Sequence, residues 1–253
     1  LWTVNDSEVS HVATSSTKSD MGVQSVSMTK DGTNSIACSQ DGDIRIFGED
    51  MKETGKISAG ILEAWDVCIS PDNDAIASGN QEGKIKFWAT ATLDFANSMD
   101  TGGEFISNLT FDSKGTNIGT SHMDGYVRIY DLVAQSVAVE MRAHHLPARQ
   151  VVFSQDDQLV YSCSDDRHVY VFDRRTETPV NSFSHAGMAL CMDVSPDMRH
   201  FVVGCADHSV QLWDLGMQRQ IKRMDTYHSD QVWDLKYSPN GKMVVSVGDD
   251  ALL

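Results

Sequence analysis

Residues 166–172 read Asp-Arg-His-Val-Tyr-Val-Phe, and this stretch decides the fold class. The side chains of Val169–Phe172 alternate with a period of two, which predicts a β-strand rather than a helix. An acidic turn followed by a short strand that ends in an aromatic residue occurs at five places in the chain. The copies are Asp41–Phe47, Glu82–Trp88, Asp124–Tyr130, Asp166–Phe172 and Asp207–Trp213.

The copies are regularly spaced, because their terminal aromatics follow one another at intervals of 41, 42, 42 and 41 residues. Each period also carries an upstream apolar strand that ends in a turn, as in Ile69-Ser-Pro-Asp72 and Tyr237-Ser-Pro-Asn-Gly241. A period of about 40–45 residues with several short strands resembles the blade of a WD-repeat propeller. Trp213-Asp214 is the dipeptide after which that repeat is named.

The repeat predicts an all-β fold, a seven-bladed WD-repeat β-propeller that forms one domain over residues 1–253. We interpret the copies as the terminal strands of their repeats. Leu1-Trp2 is then the tail of such a strand, and Gly248–Leu253 enters another. Six terminal aromatics are present and a seventh is implied, so we expect blades 1 and 7 to be partial.

The composition favours protein partners. The chain has 36 acidic and 20 basic residues and a formal net charge of −16. Nucleic-acid binding needs clustered Lys and Arg that neutralise phosphates, so we expect no direct nucleic-acid contact and no membrane binding. The five cysteines include no CxxC pair, which favours free buried thiols, and we expect neither a metal nor a cofactor.

Histidine and aspartate recur at matching places in the repeats. WD-repeat proteins carry a His–Ser/Thr–Asp–Trp hydrogen-bond network there, so the resemblance implies a structural network with no catalytic residue. Such a set imitates a hydrolase triad, but catalysis needs one site whereas this motif recurs, and no G-x-S-x-G is present. The predicted members are His185, Asp207 and Trp213, with partial copies at His144 and Asp166 and at His228 and Asp250.

A second set of positions lies where each inter-blade loop enters the innermost strand. Counted from the Ser-Pro-Asp turns, the equivalent residues are Gln24, Trp65, Ser107, Arg149, Leu190 and Trp233. In a propeller these positions ring the mouth of the central channel. Exposed aromatic and Met side chains are typical of interface cores, whereas the alternative is that they fold inward under loops. The predicted partner-binding residues are Trp65, Arg149, Leu190 and Trp233 from this set, together with Phe105 and Met188, which lie two residues before Ser107 and Leu190.

Four segments carry a more specific resemblance. They are Ala64–Asp72, Asp100–Ile106, Asp156–Leu159 with Ser164–Asp166, and Asp230–Tyr237 running on to Val244–Asp250. The chain resembles the WD-repeat propeller subunits shared by the superkiller complex and the RNA polymerase II-associated factor (Paf) complex. The resemblance implies a scaffold in cytoplasmic mRNA decay, bound to a tetratricopeptide scaffold and an RNA helicase that feed the exosome. It also implies a nuclear role in transcription elongation with polymerase-associated factor subunits.

Two other functions remain open at this point. A WD-repeat adaptor that reads histone tails or other peptides would use the same channel mouth, with a narrow acidic pocket. A hydrolase would need turnover that depends on His185. We expect a non-enzymatic scaffold, because the recurring motifs have a structural explanation in the fold.

Overall fold

The computed structural model describes residues 2–5, 8–11, 21–61, 63–102, 104–175 and 178–250. Every regular element in these ranges is a β-strand, so the fold class is all-β, as the alternating pattern predicted. No helix in these ranges is long and apolar enough to cross a membrane.

The described residues form 24 strands. In chain order they are β1 Trp2–Asn5, β2 Glu8–His11, β3 Val23–Met28, β4 Asn34–Ser39, β5 Asp43–Gly48, β6 Glu53–Ser58, β7 Asp66–Ile69, β8 Ala75–Gly79, β9 Lys84–Ala89, β10 Phe95–Asp100, β11 Ile106–Phe111, β12 Asn117–His122, β13 Tyr126–Asp131, β14 Ser136–Arg142, β15 Ala148–Phe153, β16 Leu159–Ser164, β17 His168–Asp173, β18 Pro179–Ser184, β19 Ala189–Val194, β20 His200–Cys205, β21 Val210–Asp214, β22 Arg219–Met224, β23 Val232–Tyr237 and β24 Val244–Gly248.

Consecutive strands pair into antiparallel sheets whose strand order follows the chain. Sheet I is β3–β6, sheet II β7–β10, sheet III β11–β14, sheet IV β15–β18, sheet V β19–β22 and sheet VI β23–β24, while β1 and β2 form a hairpin. Repeated four-stranded meanders of this kind are the blades of a β-propeller. The number of seven blades stays a prediction.

Contacts between residues divide the chain into two compact units. Unit 1 comprises Leu1–Thr120 and Ile129–Ala138, and unit 2 comprises Ser121–Arg128 and Val139–Leu253. Sheets I and II belong to unit 1, sheets IV, V and VI belong to unit 2, and the strands of sheet III are divided between the two. The single domain over residues 1–253 stays a prediction.

The strands that we interpreted as terminal are third in their sheets. In sheet IV, β17 ends at Asp173, just after the aromatic Phe172, and β18 then pairs with it as a fourth strand. The same order holds in sheet I, where β6 follows β5. At the two ends of the chain, Trp2 begins β1, whereas Leu1 and Ala251–Leu253 lie outside the described residues.

In sheets II, IV and V, a turn with the pattern Ser-x-Asp joins the first strand to the second. In sheet II, the Ser70 hydroxyl donates to Asp72 and accepts the Ala75 N–H at 2.9 Å. Asn73 adopts the left-handed conformation with a φ of 65°. Sheet V repeats the geometry at Ser195 and Asp197. The Ser-x-Asp spacing therefore encodes a hairpin, because both side chains bond backbone groups of the turn.

Apolar side chains of the first to the fourth strands form the cores, and one cluster contains Ala189, Phe201, Val169 and Phe183. On β17, Val169 and Val171 are buried, while the alternating residues His168 and Tyr170 are partly exposed. The five cysteines are free and buried, as predicted, and burial raises the pKa of the Cys205 thiol to about 12. These thiols are therefore protonated at neutral pH and pack as small apolar groups.

Candidate protein-interaction surface

The positions singled out at the start of the first strands coincide with β-bulges. In sheets I, IV, V and VI, the pairing of the first strand with the second skips a single residue. The skipped residues are Gln24, Arg149, Leu190 and Trp233. A bulge leaves one residue outside the ladder and redirects its side chain. The positions counted from the sequence therefore coincide with the irregularities in the strand pairing.

Backbone hydrogen bonds fix the loops that enter these strands. The N–H groups of Asp165, Ala206 and Asp249 donate to the carbonyls of Pro147, Met188 and Gln231, at 3.2, 2.9 and 3.0 Å. Each bond joins the loop before a first strand to the turn after the second strand. These two connections therefore lie at one end of each sheet, which we call the entry end.

Met188 and Trp233 are the exposed members of the predicted set in unit 2. Their side chains retain 47% and 46% of their accessible surface. Trp233 follows Val232, which is fully buried in the core of unit 2, so its backbone has little freedom. Large apolar side chains on a fixed backbone are suited to burial against another protein.

Leu190 is a correction to the predicted rim. Only 6% of its surface is exposed. Its strand β19 packs between the first strands of the neighbouring sheets, β15 and β23, and this packing accounts for the burial. The expectation of an exposed apolar residue at this position was wrong.

Arg149 already has an acidic partner within the chain. Its guanidinium donates two hydrogen bonds to the Asp165 carboxylate, at 2.8 and 2.6 Å. The hydrogen bond with Asp165 raises the pKa of Arg149, and burial opposes this rise. A partner carboxylate would have to displace Asp165, so Arg149 is better described as part of an ion pair at the entry end.

Trp65 and Phe105 pack against each other in unit 1. Their ring centroids are 5.0 Å apart with the planes at 69°, which is an edge-to-face arrangement. Both side chains are half-buried. The Trp65 N–H donates to the Gly79 carbonyl at 2.8 Å, so the pair is held directly against sheet II. Part of each ring is exposed to solvent, and the rest is buried in contacts within the chain.

Two exposed apolar residues at the entry end of unit 2 were not singled out from the sequence. Leu146 is 50% exposed and Tyr227 is 65% exposed. Each lies within two residues of a buried loop histidine, His144 or His228. An apolar residue beside such a histidine in a polar loop is the signal that could have found them.

The network predicted at His185 and Asp207 is not formed in the structure. The His185 Nδ1 atom is 3.0 Å from the Gln211 Oε1 atom. Asp207 instead accepts from the Ser209 hydroxyl at 2.6 Å and pairs with Arg223 at 3.0 Å. Arg223 and Ser209 thus satisfy the carboxylate that was expected to hold the histidine.

Trp213, the third predicted member, contributes packing only. Its ring makes an edge contact with His185 and Phe183 and stacks on Phe201. Within the described part of the chain, its buried Nε1 atom and the His185 Nε2 atom have no hydrogen-bond partner. Sheet V therefore contains two unsatisfied buried nitrogens close together.

The two partial copies of the network, at His144 with Asp166 and at His228 with Asp250, each include a serine as well. His144 Nδ1 lies 2.9 Å from Asp166 Oδ2, and its Nε2 lies 2.8 Å from the Ser162 hydroxyl. Burial acts most strongly, and raises the pKa of Asp166, but the hydrogen bond and charge interaction with His144 and the backbone hydrogen bonds from His145 and His168 together lower the pKa below its ordinary value. Ser162 and His144 are buried, so this Ser–His–Asp set lies within the fold rather than on its surface.

Sheet VI repeats that geometry. His228 Nδ1 lies 3.0 Å from Asp250 Oδ2, and its Nε2 lies 2.7 Å from the Ser246 hydroxyl. The Ser229 N–H also donates to Asp250 at 2.8 Å, which ties the loop to the turn. These contacts hold the loop and the turn of the entry end together without using its exposed apolar residues.

The sequence matches the WD domain, G-beta repeat (WD40) family at residues 56–89, 135–173, 177–214 and 220–253. The chain is a WD40-repeat protein. Three of the matched WD40 segments end where a third strand ends, at Ala89, Asp173 and Asp214. A WD40 repeat therefore runs from the fourth strand of one sheet to the third strand of the next.

Several proteins with WD40-like sequences are similar to this one. WD repeat-containing protein SL1-17 of Schistosoma mansoni is 34% identical over 91% of this chain and 77% of its own length. Meiotic recombination protein rec14 of Schizosaccharomyces pombe is 23% identical over 68% of this chain and 58% of its length. Striatin-4 of Mus musculus is 25% identical over 74% of this chain but only 26% of its length. WD40 proteins bind other proteins and are generally non-catalytic scaffolds.

Proposed function

We propose that this WD40-repeat chain is a scaffold subunit that binds segments of larger subunits at the entry ends of its sheets. The observation that carries the proposal is the exposure of Met188 and Trp233 on a backbone fixed by hydrogen bonds. Burial of such side chains yields binding free energy with little loss of conformational entropy.

The charge around these residues favours a basic partner segment. Asp249 is exposed in the turn that follows the second strand of sheet VI, whereas the other aspartates in the turns after the second strands of sheets IV, V and VI, namely Asp165, Asp166, Asp207 and Asp250, are already bonded to Arg149, His144, Arg223 and His228. Asp230, in the loop before β23, is exposed as well. A segment with an apolar anchor and flanking Lys or Arg complements this surface, whereas an acidic segment is repelled.

We further propose membership of the superkiller and Paf complexes, with roles in mRNA decay through the exosome and in transcription elongation. The support is the sequence resemblance of segments 64–72 and 230–250. In this proposal the protein works in both cytoplasm and nucleus. Its partners are a tetratricopeptide scaffold, an RNA helicase and polymerase-associated factor subunits.

The proposal is tested by measuring binding to the purified tetratricopeptide subunit of the superkiller complex. We expect Met188→Ala with Trp233→Ala to weaken binding by more than about thirtyfold, since truncating even one interface anchor costs about 2 kcal/mol. Met217→Ala is the matched control, because Met217 is 66% exposed but lies in the turn between β21 and β22, at the other end of sheet V.

Three results would contradict the proposal. Unchanged binding of the folded double variant would remove the entry end of unit 2 as the site. An equal loss in Met217→Ala would show that exposed methionine, rather than its place at the entry end, determines binding. Tight binding of a free histone-tail peptide, with none to the tetratricopeptide subunit, would favour a peptide reader.

A further inference from the structure

Asp66 is a buried carboxylate that links two sheets of unit 1. It begins β7, directly after Trp65, and only 7% of its surface is exposed. Its Oδ2 atom accepts from the Asn108 side-chain amide at 2.7 Å and from the Leu109 N–H at 2.8 Å. Both donors lie on β11, the first strand of the next sheet, which begins one residue after Phe105.

The backbone of Trp65 is fixed from two sides. Its N–H donates to Gly79 on β8, and its carbonyl accepts from the Cys38 thiol of sheet I at 3.5 Å. Burial, together with the charge of Asp66, raises the pKa of Cys38 to about 12. The thiol is therefore protonated at neutral pH and serves as the donor.

Gly79 allows β11 to come close enough for the Asp66 bonds. A Cβ atom at Gly79 would lie 2.6 Å from Ile106 Cγ2 and 3.1 Å from Leu109 Cδ2. Trp65 is thus held against sheet II, while the Asp66 carboxylate links β7 to β11 beside the apolar packing of Cys68 with Leu109. The edge-to-face contact between Trp65 and Phe105 bridges the same two strands.

A buried charge is a costly way to hold two strands together. Desolvation of a carboxylate opposes burial, and well-packed apolar residues often stabilise a fold as much as a buried ion does. What the carboxylate adds is direction, because it accepts charge-assisted hydrogen bonds from two specific donors. It therefore ties the first residue of β7 to Asn108 and Leu109 of β11.

We infer that Asp66 is a positioning residue for the Trp65–Phe105 pair: its hydrogen bonds to β11 hold the two rings at their edge-to-face separation. The pair presents a preformed aromatic surface at the entry end of unit 1. Its use for partner binding rests on the proposed function, whereas the positioning itself does not.

The test uses the whole chain labelled with 5-fluorotryptophan. Five tryptophans give five fluorine resonances, and Trp65→Phe identifies the one from Trp65. We expect Asp66→Leu to shift and broaden that resonance while the β-sheet circular dichroism is retained. Asp66→Asn keeps an acceptor oxygen for Leu109, and we expect it to restore the wild-type resonance.

Gln150→Leu is the matched control. Gln150 is the equivalent residue of β15, and its Oε1 atom accepts the Met192 N–H of β19 at 2.6 Å. The same kind of link is lost there, but the preceding residue is Arg149 rather than an aromatic. We therefore expect the Trp65 resonance to be unchanged in Gln150→Leu.

An unchanged Trp65 resonance in folded Asp66→Leu would overturn the inference, as would an equal shift in Gln150→Leu. If Asp66→Leu does not fold, Asp66→Ser replaces it, because the shorter side chain does not span the gap to β11. Binding to the tetratricopeptide subunit is measured separately. A moved resonance with unchanged binding would uphold the positioning role and contradict partner binding by unit 1.

Discussion

Histidines at matching loop positions have different environments in the three sheets of unit 2. His144 and His228 each lie between an aspartate and a serine. His185 meets Gln211 and has an unsatisfied Nε2. The pairing registers explain this difference, because Val203 opposite Gln211 in sheet V takes the place of Ser162 opposite Tyr170 in sheet IV. A single missing hydroxyl leaves the nitrogen without a partner.

The missing hydroxyl leads to a stability prediction. We expect Val203→Thr to raise the free energy of unfolding by about 1 kcal/mol, since the shape is kept and a hydroxyl is placed beside His185 Nε2. Urea unfolding measures the change. Val202→Thr is the control on the opposite face of β20, where a buried unpaired hydroxyl lowers stability by about 1–3 kcal/mol. A loss in both variants would contradict the explanation.

His185 also predicts a pH dependence. Burial lowers its pKa below the ordinary 6.5, against the opposing hydrogen bond with Gln211. The unfolded chain then binds a proton at a higher pH than the folded one, so stability is present above pH 6.5 and is lost as the pH falls below it. We expect His185→Gln to flatten the dependence of the urea midpoint on pH between about 5 and 7.

The exposed neighbour His145 provides the comparison for that experiment. His145→Gln removes an exposed histidine, rather than a buried one, from the same end of unit 2. Its midpoint should follow the wild-type curve. If the two variants flatten the curve equally, burial of His185 is not the cause.

At the scale of strands and sheets, the repeat predicted the turns and the positions at which loops enter the first strands, but neither the bulges at those positions nor which strand comes last in each sheet. The spacing of the aromatics is the same wherever a repeat is said to begin, so periodicity cannot tell a third strand from a last one. Burial of Leu190 was missed for a related reason. The chain order does not show that β19 is flanked by two other first strands. The observed pairing and packing of the strands show which strand comes last in each sheet and which strands flank β19.

Close approach of neighbouring sheets gives a prediction about glycine. We expect Gly79→Ala to lower the free energy of unfolding by about 1–3 kcal/mol, because the new methyl group overlaps Ile106. Gly22→Ala should change it by less than about 0.5 kcal/mol, since nothing lies within 4 Å of the position that its new methyl group would take. Thermal unfolding of the two variants distinguishes packing from the backbone effect of glycine.

For the whole molecule, the net charge of −16 governs how partners approach. We expect association with a basic segment to slow as salt is raised from about 50 to about 500 mM, because ions screen the acidic surface, while dissociation changes less. Stopped-flow measurements of the two rate constants check this. An association rate that is insensitive to salt would contradict a basic partner and favour purely apolar docking.

Modification of the five buried cysteines can measure local opening of the sheets. Cys38 belongs to sheet I, Cys68 to sheet II, Cys163 to sheet IV, and Cys191 and Cys205 to sheet V. A thiol reagent modifies each of them only when its sheet separates from its neighbours. Alkylation followed by peptide mapping would therefore time the opening of each sheet separately. Equal rates would describe one cooperative structure, and graded rates would reveal the blade from which unfolding spreads.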